Sequence, residues 1–87
     1  MADPASVSAD IMRAVSLQAL QWGLYGRRRD AYALQFISGA IVALKAAGLL
    51  DCAARLATDG AIVIASKDYD GAMAMASDQQ EAIPAPG

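Results

Sequence analysis

Eighty-seven residues, one cysteine and no histidine leave room for one small domain over residues 1–87, without an intrachain disulfide and without the commonest metal ligand or general base. The formal net charge of −2 and sequence pI near 4.7 argue against a nucleic-acid partner, since such a protein must neutralise many phosphates. With 56% of residues hydrophobic and 18% charged, a core that is marginal at this length is expected to be completed by another protein chain.

Residues 1–3 read as a frayed end. Asp3 and Pro4 read as a helix start, with Asp3 as N-cap and Pro4 in the first turn, where its missing N–H costs nothing. Helical periodicity predicts a first helix running to about Tyr25. Val7, Ile11, Ala14, Val15, Gln18, Trp22 and Tyr25 fall on one face, and Leu17, Leu20 and Leu24 form a second stripe beside it. Gly26 and the arginines at positions 27, 28 and 29 read as the turn that ends this helix. Glycine supplies the left-handed exit, and basic residues suit a helix C-terminus.

Asp30 is then the expected N-cap or first-turn acid of a second helix reaching about Ala47, with Gly48 as its stop. This helix has a thin polar stripe through Gln35, Ser38 and Lys45. Its apolar arc covers about 200° by the 100°-per-residue count. Leu34, Ile37, Ile41 and Leu44 cluster on the expected intrachain face. Tyr32, Phe36 and Ala43 lie together on the strip expected to meet another chain, extended by Trp22 and Tyr25 near the first turn. Leu50 joins that strip only if the helix continues past Gly48. The run from Ala31 to Leu50 approaches membrane-spanning length, but Gln35, Ser38, Lys45 and Gly48 interrupt it, so a soluble buried helix is expected.

Asp51 reads as the N-cap of a third helix over residues 51–66. Within it, Ala61 to Ala65 resembles a short strand, but no second strand-like run exists to pair with it, so a helix with Gly60 inside is expected. Residues 67–70 read as a polar turn, residues 71–82 as a fourth helix, and residues 83–87, with Pro84 and Pro86, as a tail. The predicted fold class is therefore all-α, with three to four antiparallel helices forming two hairpins. Weak self-similarity at an offset of 39 positions pairs Leu17 with Leu56, Leu24 with Val63 and Ser38 with Ser77.

Gly60, Asp68, Tyr69, Ala72 and Pro84 stand at the spacing of a tetratricopeptide repeat, and the stretch from Gly60 to Pro84 resembles one. Asp59, Ala76 and Gln79 depart from the family pattern. In the earlier half Leu24, Ala33, Ile37 and Ala40 match its register. The pair of degenerate repeats is similar to the small tetratricopeptide-like chaperones of type III secretion needle subunits. That resemblance implies a cytoplasmic protein covering an apolar helix of its partner.

The remaining residues suggest structure rather than chemistry. Paired acid–base groups are missing, so no catalytic residues and no enzyme activity are expected. Cys52, with no histidine to activate it, reads as a small core residue. Asp68 and Asp70 do not continue into a calcium-loop spacing, so no metal or other cofactor is expected. The arginine triplet reads as a solvated helix terminus. Met73 and Met75 fit either an adaptable binding surface or core filling. The MADPASVSAD start has no basic-then-apolar run, which fits a cytoplasmic protein. Two functions follow as expectations: an interaction module covering a partner helix, or a self-associating structural subunit.

Overall fold

Pro4 opens the first helix, and glycines close the first and second. The computed structural model describes residues 3–67. They form three α-helices, α1 (Pro4–Gln21), α2 (Gly26–Ala46) and α3 (Leu50–Ser66), and each helix packs on both others. No strand occurs among the described residues. The expected fourth helix, the turn beyond Lys67 and most of the repeat-like positions lie outside them. The all-α class is as the sequence predicts, and residues 61–65 are helical within α3.

The first helix begins where its cap predicts. Asp3 accepts hydrogen bonds from the Ser6 backbone N–H at 3.1 Å and the Ser6 hydroxyl at 2.9 Å. Its carboxylate thereby satisfies one of the otherwise unpaired donors of the first turn.

The end of α1 differs from expectation. It stops at Gln21 rather than near Tyr25, because the left-handed residue that closes the helix after its cap Trp22 is Gly23, three positions before Gly26. The Gly23 N–H donates to Leu20 O at 3.1 Å and the Leu24 N–H to Ala19 O at 2.9 Å. This paired closure fixes the last carbonyls of the helix. Gly48 ends α2 in the same way, with Gly48 N–H to Lys45 O at 3.0 Å and Leu49 N–H to Leu44 O at 2.9 Å.

Because the chain turns at Gly23, α2 starts at Gly26, four residues before Asp30. The arginine triplet therefore lies in the first turn of α2, not at the end of α1, and Asp30 is not a cap. Tyr25 holds the cap position without a side-chain hydrogen bond. Asp30 instead forms an ion pair with Lys67, at the left-handed exit of α3. Similarly, α3 begins at Leu50 with Leu49 as its cap, which puts Asp51 in the first turn.

The core is aliphatic and small-residue. Met12 and Val15 from α1, Ala33 and Ile37 from α2 and Leu56 from α3 are buried together, with Ile11, Tyr32, Ala40, Ile41, Leu44, Val63 and Ile64 packed around them. On α1 the inward face is turned from the predicted one. Ser8, Met12, Val15, Ser16 and Ala19 are buried, while Ala14 is exposed. Serine and alanine are small enough to sit at a close helix contact, so apolar periodicity alone does not locate that face. Leu34, expected in the core, is 58% exposed. Its neighbours Ile37, Ile41 and Leu44 take the inward positions.

Two helices approach closely at Gly60. A β-carbon there would fall 2.9 Å from Ile37 Cγ2 and 3.2 Å from Cδ1. Glycine inside a helix costs about 1 kcal/mol relative to alanine. Here the missing side chain is what lets Ile37 seat against α3.

Candidate partner-binding face

All four aromatic residues among those described fall between positions 22 and 36, and none is buried. Aromatic side chains ordinarily supply much of a small core or of an interface. In this fold only Tyr32 packs against the core.

Their placement follows from the α1–α2 turn. Trp22 caps α1, Tyr25 caps α2, and Tyr32 and Phe36 lie one helical turn apart on α2. The turn brings Trp22 back onto Tyr32, with ring centroids 5.3 Å apart and an edge-on interplanar angle of 61°. Tyr32 contacts Phe36 at 5.8 Å and 57°. Such tilted pairs are favoured by the ring quadrupole. Tyr32 is half-buried and leans on the core, whereas Trp22 is 62% exposed, Tyr25 66% and Phe36 37%.

At four-residue spacing Arg28, Tyr32 and Phe36 continue one stripe along α2, and Ala43, also exposed, lies two turns further on. The stripe is thus basic at its N-terminal end and apolar along its body. Arginines in the first turn also lie against the positive end of the helix dipole, where carboxylates are favoured. No acidic residue occupies that first turn.

Of the six residues singled out from sequence, Trp22, Tyr32 and Phe36 are brought into one ring cluster, and Tyr25 and Ala43 share their helix direction. Leu50 does not join them. The helix does not continue past Gly48, and Leu50, 63% exposed, opens α3 instead.

One polar cluster was missed in the sequence. Ser8, fully buried on α1, donates its hydroxyl to Asp59 Oδ2 at 2.6 Å. Arg55 Nε donates to the same carboxylate at 2.9 Å and 3.2 Å from one turn earlier on α3. A hydrogen bond to a charged group contributes about 1.5–3 kcal/mol, and the half-exposed i,i+4 ion pair only about 0.3–0.5 kcal/mol. The cluster ties α1 to α3. With its hydroxyl sealed from solvent, Ser8 has no approach for a substrate. The only sequence signal was Asp59, an acid inside a helical run. Cys52 is a free thiol buried in the α3 face.

Among the described residues no cluster of three His, Cys, Asp or Glu side chains is placed to hold a metal ion. Within the same residues no helix is long and apolar enough to cross a membrane.

Fold and surface together make residues 3–67 a small three-helix unit with aromatic rings gathered at its surface. No protein-family model, curated protein or solved structure matches the chain.

Proposed function

We propose that the protein is a helical interaction module that covers an apolar helix of another protein in the cytoplasm, and is not an enzyme. The observation that carries this reading is the ring cluster of Trp22, Tyr32 and Phe36, with Trp22 and Phe36 exposed and a further exposed ring, Tyr25, in the adjoining turn. Aromatic residues gathered on a surface are the anchors that most often dominate binding energy. Ala43, small and exposed two turns away, leaves room for a partner backbone to approach. In its finer form the proposal groups the chain with the tetratricopeptide-like chaperones of secretion systems, on the strength of Gly60 and the repeat-like spacing that follows it.

The second reading is self-association, in which two copies bury the same faces against each other. It is supported by exposed apolar side chains elsewhere, including Leu17 and Leu20 on α1 and Ile62 on α3. Exposed apolar area of this kind commonly marks contact sites.

One experiment addresses both. Sedimentation equilibrium and co-expression with candidate helical partners should show an oligomer or a complex for the natural chain. Phe36→Asp should abolish that association while circular dichroism still reports a helical fold. Lys45→Ala, on the polar side of α2, should leave it intact. Loss of helicity on Phe36→Asp in an isolated monomer would mean that Phe36 is merely core. Intact association in that variant would equally end the proposal. An oligomer without any partner favours the self-associating form.

A further inference from the structure

The solvent side of α2 carries a regular seam. Tyr32, Phe36, Gly39, Ala43 and Ala46 follow one another at spacings of four, three, four and three residues, which is the spacing of a coiled-coil contact line. By the 100°-per-residue count they lie within about 80° of the helix circumference. Tyr32 is half-buried and the other four are exposed. A β-carbon built on Gly39 would meet nothing within 4 Å, so no neighbour in the chain needs that position to be bare. Glycine in mid-helix costs about 1 kcal/mol against alanine, and what it permits is the close approach of another backbone.

The two halves of the seam differ. The N-terminal half holds the rings, and the C-terminal half holds only small residues. Charge follows the same direction. Arg27 and Arg28, both exposed, stand in a first turn that contains no acid, against the positive pole of their own helix. The C-terminal end presents the negative pole, and just beyond it exposed Asp51 stands in the first turn of α3. Lys45, the base in the last turn of α2, lies about 140° round the helix from Tyr32 and so off the seam. Each half of α2 therefore complements the other half in both size and charge. A copy running the opposite way brings the two halves together.

We propose that this face is occupied by a second copy of the chain, with the two α2 helices packed antiparallel along the seam. The proposal rests on reading the face as a docking surface, and it names the occupant. In the alternating register of a coiled coil, Phe36 of one copy sits on Ala46 of the other, and Gly39 on Ala43. Two-fold symmetry makes each of these contacts twice. The small residues let the helix axes approach to about 8 Å, so each ring packs flat against the other backbone. Arg28 reaches past the end of the other copy's α2, where the terminal carbonyls and Asp51 favour a positive charge.

Sedimentation equilibrium of the full chain should show a dimer at micromolar concentration. Gly39→Glu should raise the dissociation constant about a hundredfold, by placing two charges at the crossing. Its circular dichroism should stay helical, because that position is open within the chain. Arg28→Glu should weaken the dimer about tenfold, and adding Asp51→Arg in the same chain should restore it, since the exchanged pair attracts again. A nitroxide on Ala31→Cys, selective because Cys52 is buried, gives one label per chain. Antiparallel pairing should set the two labels about 30 Å apart, whereas parallel pairing would set them about 15 Å apart. Label distances near the shorter value overturn the proposal. So does a dimer that tolerates Gly39→Glu, and so does a monomer at these concentrations. The reading of α2 as a docking face fails separately, when Phe36→Asp leaves both partner capture and self-association intact.

Discussion

Helices α2 and α3 put similar apolar content to opposite uses. In α3, 17 residues long, Cys52, Ala53, Leu56 and Gly60 are buried along one narrow stripe. In α2, 21 residues long, only Ala33 and Ile37 are fully buried, while Leu34, Phe36 and Val42 are exposed. The difference lies in geometry. A narrow stripe is satisfied by two neighbours, and α3 packs into the angle between α1 and α2. An apolar arc of about 200° is wider than two neighbouring helices can cover. The surplus of α2 is therefore surface, and the aromatic residues gather on it. Apolar content alone does not tell a core helix from a binding helix; the width of its arc does.

The contrast breaks most visibly at Leu56, which is completely buried where all three helices meet. Leu56→Ala should cost about 2–5 kcal/mol, through lost burial and the cavity left behind. In a domain this small that is a large share of total stability. Chemical denaturation should show a much lower midpoint, or no cooperative transition at all. A change under about 1 kcal/mol would mean that Leu56 is not at the centre of the core.

A smaller effect is expected at Gly60. Alanine would gain about 1 kcal/mol of helix propensity, but its β-carbon would press into Ile37, and such overpacking costs typically about 1–3 kcal/mol. Gly60→Ala should therefore be net destabilising by about 1 kcal/mol, read as a lower thermal midpoint. Pairing it with Ile37→Val, which removes the outer Cδ1 contact, should sharpen the test. The two changes should be less than additive because they share one contact. A stabilised Gly60→Ala variant would show that Ile37 has room to move.

The smallest effect belongs to the exposed side of α2. Leu34→Gln should change stability by no more than about 0.5 kcal/mol, as for ordinary surface positions. It should also spare association, since Leu34 lies away from the ring cluster. A large loss on denaturation would return Leu34 to the core, where its helical spacing with Ile37, Ile41 and Leu44 places it.

What could be read from the sequence was local. Asp3 and Pro4 set the start of α1 because a cap hydrogen bond and a missing N–H act within one turn. Gly48 set the end of α2 because only glycine takes the left-handed closure without strain. The absence of a pairing strand made residues 61–65 helical. Trp22, Tyr32 and Phe36 could be singled out from their spacing, although their ring contacts needed the turn at Gly23.

What the sequence left open was decided between helices. Gly23 and Gly26 both accept a positive φ and both do so here. Which of them ends α1 depends on how α1 and α2 meet. The same holds for the inward face of α1. With alanine and serine on several sides, the packing sector is nearly degenerate in local terms. The hydroxyl of Ser8 reaching Asp59 and the fit of Ile37 against Gly60 resolve it. Contacts 51 and 23 positions apart in the chain leave no periodic trace, because a single small residue at a close crossing carries no pattern of its own.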